Sequence, residues 1–216
     1  MIITEKTCTQ VWKKSLKYIM DKGEDFKDTD MRVCREVWNM IINIEEPEKD
    51  YDGPIALVKN FEWIYPATEE LATIIFNKED SAIYEFSYGP RIFNFLGKKD
   101  QINDFIIPLL KKDPSSRRAV ISLFNPATDS DISNKNIPSL MFVHFKVRND
   151  KLNAVCFIRS NDFFIGWPGN IYQLYLLQKY VADKLGIKTG MLSTISTSAH
   201  LFLDNFENIN KIVQQN

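Results

Sequence analysis

The 216-residue sequence predicts an α+β fold in which helices pack on a large mixed β-sheet. Predicted strands and helices mix along the chain without the strict alternation of βαβ units, which favours the α+β class. Two consecutive extended segments, "SLMFVHFKV" and "KLNAVCFI", carry apolar residues on both faces, as strands of a covered sheet do. No internal repeat or low-complexity tract divides the chain, so we expect a single domain over residues 1–216.

The composition limits the classes of function. The chain has 27 Lys and Arg against 28 Asp and Glu, and this balance lacks the basic excess of most nucleic-acid binders. No apolar run reaches the roughly 18 residues of a membrane helix, and "MIITEKTCTQ" lacks the basic start and apolar core of a signal peptide. We therefore expect a cytoplasmic protein that binds neither membranes nor nucleic acid.

Cysteine and histidine are scarce. Cys8, Cys34 and Cys156 are odd in number and unclustered, which indicates a reducing compartment and no disulfide framework. With two His and no paired Cys, the sequence predicts no zinc site, although a carboxylate-bound Mg²⁺ stays open.

The first half of the chain predicts two helices and two extended segments. Apolar residues recur at helical spacing over residues 5–21. Residues 35–47, "REVWNMIINIEEP", read as a strand, and residues 55–66, "IALVKNFEWIYP", as another extended segment. "PATEELATIIF" predicts a helix with Thr68 as a possible N-cap.

The second half predicts a compact series of elements. A helix from about residue 102 ends in a "DPSS" turn, and "RRAVISLF" follows as a strand. The two apolar segments form a hairpin through "RND". Next comes an amphipathic helix from residue 171 that ends at Gly186, a good residue just past a helix end. "GMLSTISTSAH" is the final strand, and a last helix closes the chain.

Polar side chains stand at the end of the second hairpin strand. By the two-residue period of a strand, Arg159 shares a face with Val155 and Phe157, and a cation there is costly unless it finds an anion. Two interpretations are open. Arg159 makes a structural salt bridge, or it binds phosphate with Ser160 as a hydroxyl donor.

Two further polar features allow a structural and a functional interpretation. Arg117 and Arg118, in "SSRRAV", form either a solvated pair beside a strand or an anion site, since the guanidinium fork suits phosphate. Asn170, in "GWPGN", either caps the next helix or offers its amide to a base.

Taken in order, these segments resemble thymidylate synthase and its nucleotide hydroxymethylase relatives. The segments are "SSRRAVISLFNP", "IPSLMFVHF", "FIRSNDFFIGWPGN" and "SAHLF", and they keep the family's spacing over residues 101–206. "TEELATIIF" and "SYGPR" match the family's pattern upstream. The resemblance implies a thymidylate synthase-like α+β fold and a homodimer that packs sheet against sheet.

The resemblance also implies a nucleotide site. Arg159 and Ser160 would hold the 5′-phosphate of a pyrimidine nucleoside monophosphate. Arg117 and Arg118 would reach the phosphate in the partner's site, and His200 would bind the sugar 3′-hydroxyl. These five roles are carried over from the family's motifs.

Four more roles follow from the resemblance. Asn170 would face the pyrimidine edge, where Asn suits uracil and the cytosine-specific hydroxymethylases carry Asp. Asp162 would face the folate, Glu70 would order the water that relays protons, and Tyr88 would lie near the base. The implied one-carbon donor is 5,10-methylenetetrahydrofolate.

The family's nucleophile is replaced. The family has a Cys after a Pro, and this sequence has Pro138 followed by Ser139. A thiol supplies a useful thiolate fraction at neutral pH, whereas an alcohol needs a neighbouring base. Strand alternation places His144 on the opposite face from Ser139, and Cys156 reads as a buried apolar residue, so neither is expected to substitute.

Further departures from the family's pattern leave the function open. Leu140 replaces a His, Ile158 a Gln and Phe202 a Tyr. One hypothesis is a methyl- or hydroxymethyltransferase acting at C5 of a dUMP- or UMP-like nucleotide, with Ser139 in the nucleophile's place. The alternative is a catalytically lapsed homologue that binds the nucleotide as a regulatory or partner subunit. A structural dimer without a ligand is a third class.

Overall fold

A seven-stranded mixed sheet organises the chain. The structure is a computed structural model that describes residues 1–61, 65–79 and 87–214. The strand order is β1-β3-β7-β6-β5-β4, with β2 paired to the other end of β3. The strands are β1 Ile2–Glu5, β2 Glu24–Lys27, β3 Val33–Ile44, β4 Val120–Ser122, β5 Leu140–Arg148, β6 Lys151–Asp162 and β7 Lys188–Phe202.

Helices join and cover these strands. They are α1 Cys8–Lys22, α2 Gly53–Lys59, α3 Thr68–Phe76, α4 Tyr88–Phe93, α5 Ile107–Lys112, α6 Pro126–Asp129, α7 Gly166–Leu185 and α8 Phe206–Gln214. A turn of π-helix, Ile102–Ile106, leads into α5. In the described part of the chain, no helix is long and apolar enough to cross a membrane.

The predicted α+β class is confirmed, and one face of the sheet carries the core. In β6, Ala154, Cys156 and Ile158 are fully buried, whereas Val155 and Phe157 between them are only half-buried. The helices of this chain therefore cover one face. On the other face, Phe157 stacks on Phe142 with ring centroids 5.1 Å apart.

The predicted hairpin is present. Strands β5 and β6 pair antiparallel, and Asn149 and Asp150 form the two-residue turn between them. Both residues have positive φ, 52° and 55°, a conformation that the short polar side chains of Asn and Asp tolerate. The predicted C-terminal elements β7 and α8 are also present, as are α1, β3 and α3 earlier in the chain.

The predicted start of the amphipathic helix was wrong. Helix α7 begins at Gly166, so Asn170 lies within its second turn and does not cap it. Asp162 instead stabilises the turn between β6 and α7, because its Oδ1 accepts the backbone N–H groups of Phe164, at 2.8 Å, and Ile165. The predicted end was right, since Gly186 follows α7 with φ 71°.

The extended segment predicted at 55–66 was also wrong where it can be assessed. Residues up to Lys59 form α2, whose Pro54 lies in the first turn and whose Ile55 and Val58 are buried three residues apart. Residues 62–64 lie outside the described part. Thr68 is the first residue of α3 and not its cap. The predicted strand "RRAVISLF" shortens to β4.

A buried ion pair fixes the segment that leads towards Ser139. Arg91 Nη1 and Nη2 donate to the two carboxylate oxygens of Asp129 at 2.6 and 2.8 Å, and Nη1 also donates to Leu123 O. The Asp129 side chain is fully buried. Burial raises the pKa of Asp129, but the hydrogen bonds from Arg91 and from the Asn125 backbone outweigh it and hold this pKa below 3.8.

Asp129→Asn should lower the free energy of unfolding by about 3 kcal/mol at pH 7, because Arg91 loses its buried anion. A carboxylate whose pKa is lower in the folded than in the unfolded state stabilises the fold above its unfolded pKa. This stabilisation is lost as the pH falls through the folded pKa. The difference in the free energy of unfolding between wild type and variant should therefore shrink as the pH falls below the ordinary value of 3.8. Urea unfolding between pH 7 and pH 3 measures it.

Asp183→Asn is the control, since Asp183 pairs with Lys179 on the exposed surface of α7 and should contribute little. Equal stability of Asp129→Asn and wild type at pH 7 would contradict the role given to the buried pair.

Candidate functional site

Two clefts adjoin at the end of the sheet where β6 and β7 stop. The first has a volume of about 450 Å³ and lies between these strands and the connection from β2 to β3. Its lining residues are Phe26, Lys27, Asp28, Thr29, Cys34, Glu36, Ser160, Ser198, His200 and Phe202. Strands β6 and β7 run parallel, so the residues that line this cleft come from the same end of both.

The strand register brings Ser160 and His200 to this cleft. Ser160 pairs with Ser198, and Asp162 pairs with His200. Ser198 Oγ lies 3.4 Å from His200 Nδ1, which leaves Nε2 of the imidazole for a ligand. The hydroxyl of Ser160 and the imidazole of His200 are thus offset by two residues on adjacent strands.

Phe202 takes part in this cleft through its ring. The ring meets His200 edge-on at a centroid distance of 5.3 Å. The guanidinium of Arg32 lies 3.6 Å from the Phe202 centroid and also pairs with Asp204 at 3.2 Å. A phenylalanine here offers a stacking surface for a cation where a tyrosine would offer a hydroxyl.

The second cleft lies at the start of α7 and has a volume of about 440 Å³. It is lined by Tyr65, Pro66, Leu71, Asp162, Ile165, Gly166, Gly169, Asn170 and Gln173. Tyr65 donates its hydroxyl to Ile165 O at 2.6 Å, and Gln173 donates to Leu71 O at 3.0 Å. The first bond ties the segment before α3 to the start of α7, the second ties α3 itself to α7, and the cleft between them has an apolar wall with a few polar groups.

Asp162 belongs to the second cleft and faces His200 of the first. Burial raises the pKa of Asp162, and the N–H groups of Phe164 and Ile165 and the nearby His200 oppose the rise. Burial lowers the pKa of His200, although Asp162, Glu36 and Asp28 pull it upwards. His200 is therefore neutral at pH 7, and its ring can exchange hydrogen bonds with a hydroxyl.

Arg159 contacts the segment before Ser139. Its Nη2 donates to Ile137 O at 2.8 Å and its Nε to Pro138 O at 3.1 Å, while its backbone N–H donates to Ser139 O. Arg159 is exposed, and no carboxylate of the described residues lies within salt-bridge distance of it. The salt-bridge interpretation therefore has no partner here.

Tyr88 lies close to Arg159 and to the segment that contains Ser139. Burial raises its pKa to about 12, opposed by a hydrogen bond with the Leu140 backbone and by the charge of Arg159. Tyr88, Arg159 and the half-buried Ser139 thus form one cluster. No described residue hydrogen-bonds to the Ser139 hydroxyl, so the alcohol has no base in contact with it.

Neither His144 nor Cys156 is hydrogen-bonded to Ser139. His144 pairs with Val120 and Val155 in the sheet, its Nε2 is buried without a hydrogen-bond partner, and burial lowers its pKa. Cys156 is fully buried, and burial raises the pKa of its thiol well above the usual range.

Three predicted site residues stand apart from both clefts and from the cluster around Ser139. Glu70 lies half-buried in the first turn of α3. Arg117 and Arg118 are exposed in the connection between α5 and β4. Neither arginine pairs with a carboxylate among the described residues, so both are available to a second molecule.

Sequence reasoning missed several polar groups of the site. Asp28, Arg32 and Glu36 come from the connection between β2 and β3 and from the start of β3. Their stretch is rich in charged residues, and no pattern separates these three from solvated neighbours. Asn161, within "RSND", is 1% exposed and bonds to Asn170. Its position beside a predicted strand end was the available signal.

Comparison with known proteins identifies the family that this chain resembles. The family model described as thymidylate synthase matches residues 62–216. A protein of Methanosarcina barkeri named "Putative thymidylate synthase" is 33% identical over 213 residues, covering 99% of this chain and 94% of that protein. The deoxyuridylate hydroxymethyltransferase of Bacillus phage SP01 is 26% identical, covering 92% of this chain and 58% of the phage protein.

The fold, the ordered motifs and these matches place the chain in the thymidylate synthase family. The family resemblance drawn from the four C-terminal segments is therefore confirmed. The site assignments remain predictions, which the geometry above makes specific.

The chain's own thiols should be inert in the native state, because Cys8, Cys34 and Cys156 are all buried and burial raises the pKa of each. We expect native wild type to show no fast reaction with a chromogenic disulfide reagent, and three thiols to react after unfolding. A Ser139→Cys variant should add one fast-reacting thiol.

Ser122→Cys is the matched control, since Ser122 is exposed in β4 and its thiol should titrate near the ordinary value. The thiol introduced at position 139 should react with a lower apparent pKa because Arg159 lies beside it. Fast reaction of a native wild-type thiol would contradict the burial described here.

Proposed function

We propose that this protein transfers a one-carbon group to C5 of a uracil-type pyrimidine nucleoside monophosphate, as a methylase or hydroxymethylase that uses a folate donor. The observation that carries the proposal is the pairing of Asp162 with His200, which makes the two clefts adjacent. A nucleotide in the first cleft would extend its base towards the second.

The first cleft suits the phosphate and sugar. Ser160 can donate a hydrogen bond to a phosphate oxygen, and Arg159 can do so once it leaves the carbonyl groups of Ile137 and Pro138. His200, neutral and oriented by Ser198, can bind the sugar 3′-hydroxyl. Asn170, at the second cleft, can meet the Watson–Crick edge of the base.

The second cleft fits 5,10-methylenetetrahydrofolate in its chemistry. Pro66, Leu71 and Ile165 supply apolar surface for a flat ring system, and Asp162 and Gln173 supply polar groups. The folate, when bound, supplies the one-carbon unit. The raised pKa of Asp162 favours a carboxyl that shares a proton with a ring nitrogen.

The cluster around Ser139 would act on the base itself. Ser139 stands where the family has its nucleophile, beside Arg159 and Tyr88. Tyr88 keeps its proton at neutral pH, so it can donate or relay one near the base. Glu70 would order the water in this relay. An alcohol without a base in contact makes covalent attack slow, which favours a low rate or a non-covalent route.

The alternative function is nucleotide binding without turnover, as a regulatory or partner subunit. The specific observation in its favour is that the Ser139 hydroxyl has no hydrogen-bond partner among the described residues, while Ser160 and His200 line a formed cleft. The geometry thus gives more support to the residues proposed to bind the nucleotide than to those proposed to catalyse the reaction.

A homodimer would complete the site. The sheet face that carries Phe142 and Phe157 is only half-buried, and Trp38 on β3 is 75% exposed. A second copy packed on this face would cover apolar area. Arg117 and Arg118, which are exposed and have no carboxylate partner among the described residues, could then reach the partner's phosphate.

Turnover can be tested by release of tritium from C5 of labelled dUMP, UMP, dCMP and CMP with 5,10-methylenetetrahydrofolate. We expect slow release from a uracil nucleotide by wild type. Ser139→Cys should raise the rate by roughly 100-fold or more, because it restores a thiolate nucleophile. Ser122→Cys should leave the rate unchanged.

No release from any nucleotide by wild type, with saturable binding retained, would contradict the transferase and support the lapsed homologue. Absence of both release and binding would contradict the two hypotheses together.

The arginine assignment is tested by mixing chains. Arg118→Ala should weaken dUMP binding about tenfold by removing a charge-assisted bond. Arg148→Ala, an exposed arginine in the hairpin, should not. Calorimetry gives both values.

Random mixing of Arg118→Ala with Ser160→Ala chains should regenerate wild-type affinity in about a quarter of the sites if the arginine acts on the partner's site. Failure of the mixture to regain any tight site would contradict the contribution in trans.

A further inference from the structure

Asn161 is a buried amide beside the site that none of the roles above uses. It lies between Ser160 and Asp162 at the end of β6 and is 1% exposed. A buried amide has to satisfy both its donor and its acceptor ends. Asn161 does so with two side chains, Ser196 of β7 and Asn170 of α7.

The three side chains form a directed chain of hydrogen bonds. Asn161 Nδ2 donates to Ser196 Oγ at 3.1 Å, and Asn161 Oδ1 accepts from Asn170 Nδ2 at 3.3 Å. The amide of Asn170 is thereby turned so that an N–H points at Asn161. Its carbonyl oxygen and its second N–H remain for the second cleft, which Asn170 lines.

This orientation of the Asn170 amide matches the hydrogen-bonding edge of uracil. Uracil presents an N3–H donor beside the O4 acceptor, so it can donate to Asn170 Oδ1 and accept from Asn170 Nδ2. Cytosine presents an N3 acceptor beside an N4 donor, the opposite pattern. To bind cytosine, Asn170 would have to turn its amide over.

Turning Asn170 alone would be unfavourable. Its Oδ1 would then face Asn161 Oδ1, which sets two acceptors against each other in a buried place. Both amides would have to turn together, and Ser196 would have to exchange its role as acceptor for that of donor. The chain therefore links the choice of base to a residue that does not touch the base.

We propose that Asn161 is a positioning residue that holds the Asn170 amide in the uracil-reading orientation and so sets base specificity. The proposal rests on the proposed function, since it assumes that Asn170 meets the pyrimidine. Arg159, Ser160 and Asp162 flank Asn161 in the motif, and among the described residues no side-chain hydrogen bond joins any of the three to Asn170.

The test compares the dissociation constants of dUMP and dCMP, measured by calorimetry. Wild type should bind dUMP more tightly. Asn161→Leu should reduce the dCMP-to-dUMP ratio of dissociation constants by about tenfold, the effect of one oriented hydrogen bond. In an Asn170→Ala background the same substitution should leave the ratio unchanged, because Asn161 acts through Asn170.

Gln178→Leu is the matched control. Gln178 is a fully buried amide of α7 that donates to Leu152 O at 2.7 Å, far along the helix from the cleft. Its loss should lower stability without changing the ratio. If Asn161→Leu does not fold, Ser196→Ala releases the far end of the chain and should lower the ratio by about threefold.

The outcomes separate the two claims. A wild-type preference for dUMP that survives in the folded Asn161 variant, or in Ser196→Ala, overturns the positioning role alone. A wild type that binds neither nucleotide overturns the proposed function, and the positioning role with it. A ratio that falls in Asn161→Leu and also in Gln178→Leu shows general loosening and likewise overturns the proposal.

Discussion

The parallel pairing of β6 with β7 is the constraint on which the site depends. Its register puts Ser160 opposite Ser198 and Asp162 opposite His200, so residues about 40 positions apart in the sequence share one end of the sheet. A shift by one residue would turn these side chains away from one another. Helix α7, which crosses between the two strands, begins at the same end, and Asn170 comes with it.

Much of the fold could be predicted because hydrophobic periodicity is strong where elements are long. The hairpin of β5 and β6, the strand β7 and the end of α7 at Gly186 were visible in this way. The start of α7 was not, because Gly166, Pro168 and Gly169 suggest a turn, whereas they form the first turn of the helix and Asp162 accepts N–H groups of the residues just before it. Helix α2 was missed because its seven residues are too few for a period to show.

The site was predictable in part, through ordered motifs. The order and spacing of the family's motifs predicted Ser160, His200, Asp162 and Asn170 as site residues, and all four line the two clefts. The immediate partners of Arg159, the carbonyl groups of Ile137 and Pro138, could not, since backbone acceptors leave no trace in a sequence. The amide chain through Asn161 likewise depends on the side-chain directions of three separate elements. In the proposed function, Ser160, His200 and Asn170, which would bind the nucleotide, line formed clefts, whereas Ser139 replaces the nucleophile expected from the family's pattern.

The central claim is that Arg159, Ser160, His200 and Asn170 form one nucleotide site. A crystal structure of the wild-type chain with dUMP tests it most directly. We expect the phosphate at Ser160 and at an Arg159 that has left the carbonyl groups of residues 137 and 138, the sugar at His200, and N3–H of the base at Asn170 Oδ1. A nucleotide bound elsewhere, or Arg159 and Asn170 without contact to it, would contradict the account.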